Sequence, residues 1–244
     1  MNATPPKALV IGVGALQGLG ASLCLRFARE GHHVYAAGRT RATLDRVVEA
    51  IEAAGGRASA VATDATRESD VIALFDAVAQ APGSLDLAVY NVGNSFPGRV
   101  LELDASTFEQ AWRTCCFGGF LFGREAGRRM LPGGGTLIFT GASASLRGRA
   151  GFGAFNAGKG ALRNLAQAMA KEFGPEGLHV AHVIIDGGIA GDRLIKARPE
   201  LARSMGEARL IELDGIVDSY WHLHRQPRRA WTFELDLRTS QEPW

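Results

Sequence analysis

Short apolar runs alternate with segments of helical period along the whole of this 244-residue chain. Residues 9–11, 34–37, 58–62, 85–90, 136–140, 179–185 and 231–237 read as strands. Between them, 19–30, 42–53, 67–79, 106–130, 152–173 and 210–224 carry the 3.6-residue period of helices. Strands that are apolar throughout are buried on both faces, as in a parallel sheet covered by helices on both sides. Right-handed crossovers then wind the chain into a Rossmann-like, doubly wound α/β fold on a mostly seven-stranded parallel sheet. No linker, repeat or low-complexity stretch interrupts the pattern, so one domain over 1–244 is expected. Residues 1–7 are predicted to be a loose tail. The least regular segment, 187–206, is expected to be a substrate loop over a pocket.

A formal net charge of +2 is too small to imply a nucleic acid or an anionic membrane as partner. No apolar run approaches the ~20 residues needed to span a bilayer. Three cysteines at no metal-ligand spacing argue against a disulfide scaffold, and the chain reads as cytoplasmic. The histidines offer no metal site at this level. His179 and His182 face opposite sides of a strand, and His222 and His224 do not share a helix face.

The first strand runs directly into Gly12-Val13-Gly14-Ala15-Leu16-Gln17-Gly18-Leu19-Gly20 and then a helix. The GxGxxG spacing fails because Gln17 stands where its third glycine would fall, whereas Gly14, Gly18 and Gly20 fit GxxxGxG. Such glycines let a pyrophosphate approach a helix N-terminus, where free N–H groups favour anions. The alternative is a glycine-rich turn with no ligand.

This spacing resembles the glycine motif of the short-chain dehydrogenase/reductase family, and the resemblance runs from Lys7 to about Arg238. Asn91-Val92-Gly93 resembles the family's Asn-Asn-Ala-Gly, with Tyr90 in place of the first Asn. Asp64 matches the acidic residue that caps the adenine. Phe155-Asn156-Ala157-Gly158-Lys159 falls where the family has Tyr-x-x-x-Lys, and Asp186-Gly187-Gly188-Ile189 where it has Pro-Gly-x-Val. The resemblance implies a nicotinamide cofactor held by Gly14, Leu16, Gly18, Leu19, Gly20, Arg39, Thr40, Asp64, Ala65, Asn91, Val92, Gly93, Lys159 and Ile189. The second strand ends in Arg39-Thr40-Arg41 with no acid to hold a ribose diol. Arg39 suits a 2′-phosphate, so NADP(H) is favoured over NAD(H).

The catalytic set that the resemblance implies is degenerate. Lys159 is kept, but Phe155 replaces the Tyr that moves the proton, Ala142 the Ser and Cys116 the Asn. Ser143, Lys159, water or the substrate remains as proton donor, with Tyr90 a weak further candidate. The expected activity is an NADP(H)-dependent oxidoreductase acting on a carbonyl or alcohol. Phe96, Phe152 and Phe155 favour a hydrophobic substrate. Two alternatives stay open: a catalytically silent nucleotide-binding protein with a structural or regulatory role, and a non-redox lyase or isomerase on the same scaffold. Apolar helices around 106–130 and 152–173 imply a homodimer or homotetramer, as in the family.

Overall fold

The computed structural model describes residues 4–95 and 97–242. Seven strands form one wholly parallel sheet in the order β3-β2-β1-β4-β5-β6-β9. They are β1 (Lys7–Ile11), β2 (His33–Gly38), β3 (Arg57–Ala62), β4 (Leu85–Tyr90), β5 (Gly135–Thr140), β6 (Leu178–Ile185) and β9 (Glu234–Leu237). The direction of winding reverses between β1 and β4, which opens a crevice beyond their carboxyl ends. The doubly wound α/β fold expected from the apolar runs is the fold observed.

Alternate residues of the strands supply two separate cores. Val10, Val34 and Val89 pack under α1 (Leu19–Arg29), α2 (Arg41–Ala53) and α9 (Leu213–Arg225). Leu9, Ile11 and Phe139 pack under α3 (Glu68–Gln80), α5 (Gly118–Met130) and α6 (Gly153–Phe173). Each fully buried Leu, Ile, Val or Phe contributes roughly 1.5–3 kcal/mol. Among the described residues no helix is long and apolar enough to cross a membrane.

Several element limits differ from the sequence expectations. Residues 1–3 of the expected tail lie outside the described residues, but Lys7 is not tail. It begins β1, buried, and its ammonium donates to Val78 O and Ala81 O at 2.8 Å each. The expected helix at 106–130 is instead α4 (Ala105–Trp112), a π-helical turn (Arg113–Phe117) and α5. Its cause lies on another strand: the Tyr90 hydroxyl donates to Thr114 O at 2.7 Å, inside the helix ladder. The segment 187–206 holds a short strand β7 (Gly188–Ile189) and helices α7 (Asp192–Ile195) and α8 (Pro199–Met205). β7 pairs with β8 (Leu210–Ile211), which replaces the first turn of the last expected helix. The last strand begins at Glu234, not at Trp231.

Candidate active site

The carboxyl ends of β1, β2, β3, β4 and β5 bring most of the sequence-nominated residues around one cleft. Gly12, at φ +93°, turns the chain out of β1, and a Cβ there would lie 2.6 Å from the Asn91 backbone. A Cβ on Gly20 would lie 2.7 Å from Gly12 O, so helix α1 reaches the strand only as glycine. Asn91 locks this approach, its N–H donating to Ile11 O at 2.9 Å and its side-chain amide to Gly12 O at 3.3 Å. Leu19 is buried under the loop, while Gly14 and Leu16 are exposed.

The loop fits a pyrophosphate. A Cβ at Gly14 would meet no protein atom within 4 Å, so this side is open. Gly18, at the N-cap of α1, offers no side chain to the first-turn N–H groups, which leaves them for an anion.

Arg39 and Thr40 follow β2 and are exposed. Arg39 has no hydrogen-bond or ion-pair partner among the described residues, yet it lies close enough to Asp64 to influence its charge. Burial works against ionised Asp64, but the Thr66 N–H and hydroxyl at 2.9 and 2.8 Å, with Arg39 and Arg67, hold its carboxyl below the usual range. Ala65 next to it is buried.

Lys159 lies on α6, 4% exposed, with its ammonium on Thr140 O at 2.7 Å and Val92 O at 3.4 Å. Burial pulls its pKa below the ordinary lysine value. Gly93 makes room for it, since a Cβ there would sit 3.1 Å from Nζ. Phe155 is one helical turn earlier on α6 and half-buried. Ala142 and Ser143 are half-buried where β5 leaves the sheet, Ser143 opening a 3₁₀ turn.

Two nominations are corrected. Cys115, not Cys116, is the helix cysteine beside α6: a Cβ at Gly158 would lie 2.9 Å from its Cβ, and a thiolate there would favour the Lys159 ammonium. Tyr90 is not a proton donor to the cleft, because it is fully buried with its hydroxyl committed to Thr114 O. Burial pushes its pKa further up. Phe96 lies outside the described residues.

Sequence reasoning missed a buried polar chain behind Lys159. Ser145 Oγ is 3.4 Å from His182 Nε2, and His182 Nδ1 is 3.0 Å from Glu234 Oε2. Arg163 holds Glu234 with two hydrogen bonds, at 2.5 and 2.8 Å. Burial draws His182 down to about 4, against the pull of Glu234. It also missed the contacts of the 187–206 segment across the cleft. The Asp192 N–H donates to Gln17 O at 2.7 Å, and the Arg193 guanidinium donates to Gly93 O at 3.1 Å and to Asn94 Oδ1. Ile189 sits at the base of this segment, on β7.

The sequence model described as short chain dehydrogenase matches residues 7–200. A short-chain dehydrogenase/reductase of Armillaria gallica is 32% identical over 71% of this chain and 67% of its own length. A gluconate 5-dehydrogenase of Gluconobacter oxydans is 30% identical over 71% of this chain and 68% of its own. An uncharacterized oxidoreductase of Bacillus subtilis is 29% identical over 90% of this chain, which spans only 33% of that protein. Among solved structures, a short-chain dehydrogenase from Rhodopseudomonas palustris superposes with a TM-score of 0.82 at 38% identity, covering 97% of this chain and 99% of that one. A match this long, on a cleft whose glycine loop and buried lysine are both in place, makes this chain a member of the short-chain dehydrogenase family.

Proposed function

We propose that the chain is an NADP(H)-dependent oxidoreductase that interconverts a carbonyl and an alcohol. The observation that carries this reading is Lys159, a buried ammonium held by two backbone carbonyls at the cleft beside the glycine loop. With no carboxylate among its hydrogen-bond partners, it has donors left for ribose hydroxyls. A nicotinamide cofactor, when bound, supplies or accepts the hydride. Gly14, Gly18 and the first turn of α1 would receive its pyrophosphate, and Asp64, Ala65, Asn91, Val92 and Ile189 would line its path. Arg39 has no acid at the end of β2 to oppose it and would take a 2′-phosphate. A charge-assisted bond of about 1.5–3 kcal/mol gives roughly ten- to hundredfold preference for NADP(H).

Phe155 keeps the ring of the usual Tyr without its hydroxyl, so the proton on the substrate oxygen has another source. Water, Ser143, Lys159 and a group on the substrate are the sources open to this cleft. Loss of a positioned acid costs about 10²–10⁴ in rate, which makes this a slow reductase on ordinary ketones. The test is a panel of hydrophobic and polar carbonyls with NADPH, followed at the nicotinamide absorbance. Oxidation above the uncatalysed rate, abolished in Lys159→Ala, supports the reading. Turnover no faster than buffer across the panel favours a silent nucleotide-binding protein, and substrate conversion without an absorbance change favours non-redox catalysis.

The same reading includes a homo-oligomer. Leu101 and Val100 are 91% and 73% exposed beside α4, and Phe108, Trp112 and Phe120 continue an apolar surface along α4 and α5. A surface of this kind is covered in a stable soluble assembly.

A further inference from the structure

The opposite end of the sheet gathers residues that the cleft does not use. His32 lies in the turn between α1 and β2, Asp86 near the start of β4, and His224 in the last turn of α9. One ligand atom from each lies within 4.8 Å of the other two. We propose that His32, Asp86 and His224 form a binding site for a zinc-class transition-metal ion, remote from the nucleotide cleft.

The donor set selects the class of ion. Two imidazoles and one carboxylate suit zinc and its first-row neighbours, and not magnesium or calcium, which take oxygen ligands. Three protein ligands leave a fourth position for water. His32 Nε2 already faces Asp86 Oδ1 at 3.0 Å, where an ion would replace the shared proton. His224 Nδ1 is engaged by Thr136 Oγ1 at 3.1 Å, which leaves Nε2 as its ligand atom. A hydrogen bond on the non-ligating nitrogen is the usual way a protein orients a metal-binding histidine.

Packing holds the rings in place. Trp221 sits edge-on to His32 at 5.8 Å and tilted against His224 at 5.2 Å, and the two imidazoles are themselves 5.7 Å apart. His32 is 4% exposed, and among the described residues its Nδ1 has no hydrogen-bond partner. The Asp86 side chain is 31% exposed, which gives an ion a way in. Bonds of about 2.0–2.1 Å would set the three ligand atoms roughly 3.4 Å apart, a change of up to about 1.4 Å that small side-chain rotations would supply. The ion would tie the C-terminal helix to β4 and to the turn before β2, and would stabilise the fold when bound.

The test uses the full chain without a histidine tag, stripped with a chelator and titrated calorimetrically with zinc chloride. The expected result is one zinc ion per chain at micromolar affinity and a rise in Tm, with no response to magnesium. His224→Gln and Asp86→Asn should each weaken binding by about tenfold or more, while His222→Gln and Cys116→Ser leave it unchanged. Asp86→Asn guards against a folding defect, since the amide keeps the shape of the carboxylate. No zinc binding by the parent, or binding that survives both His224→Gln and Asp86→Asn, overturns the proposal. Neither result depends on whether the cleft turns over a carbonyl.

Discussion

Phe155 separates what this cleft can hold from what it can catalyse. In the proposed reading its ring keeps the shape of the usual tyrosine and only the acidic hydroxyl is lost. Phe155→Tyr with Ala142→Ser and Cys115→Asn should therefore raise carbonyl turnover by about 10²-fold or more. Steady-state rates on the best panel substrate would show it, and an unchanged rate would mean that the cleft differs from a reductase in more than these side chains. Spacing points to Cys116 for the asparagine position, whereas Cys115 is the buried cysteine that packs against Gly158 of α6. His182 makes a second residue-scale prediction. It is drawn to about 4 from an ordinary 6.5, so the unfolded chain takes up a proton first as the pH falls. Glu234, held low chiefly by Arg163, acts with the same sign. Stability should be full above pH 6.5 and decline towards pH 4 by up to about 3 kcal/mol from His182. Thermal melts across that window should be flatter for His182→Gln; a parent whose Tm does not fall between those pH values would contradict this.

At the scale of elements, β1, β2, β4, β5 and β6 were legible because burial on both faces makes each an apolar run, whereas the edge strands β3 and β9 are only partly buried. The β1 turn and α1 were legible because the glycines are needed sterically: Gly12 and Gly20 leave no room for a Cβ. The π turn was not legible, since it depends on a hydroxyl from β4 entering a helix that begins 15 residues further on. Nor were α7 and α8, short helices without an apolar stripe, of which α7 is held by contacts of Asp192 and Arg193 to Gln17 and Gly93. Tyr90→Phe would leave Thr114 O without its side-chain donor inside the protein, and an unsatisfied buried group costs about 1–3 kcal/mol. Gly118→Ala would place a Cβ 2.4 Å from the Tyr90 hydroxyl and 2.8 Å from Ala65 O. Such overpacking costs about 1–3 kcal/mol. Chemical denaturation of both variants tests the pair. The combined loss should fall short of the sum of the two, because they share one contact.

Across the whole molecule, the sheet separates two ends with different contents. Its carboxyl end carries the glycine loop, Asn91 and Lys159, all visible in sequence because each belongs to a short local motif. Its amino end gathers His32, Asp86 and His224 from three distant segments, and only the folded chain shows them as neighbours. The proposed homo-oligomer would cover the apolar surface of α4 and α5. Trp112→Glu should shift the chain from oligomer towards monomer in sedimentation equilibrium, and a parent that is already monomeric would remove that part of the account. The central claim is that the cleft binds NADP(H), and calorimetric titration with NADPH and NADH tests it without any guess at the substrate. The expected result is micromolar NADPH binding, weaker NADH binding, and about tenfold or greater loss of NADPH affinity in Arg39→Ala. Binding of neither nucleotide, or NADPH affinity indifferent to Arg39, would contradict it.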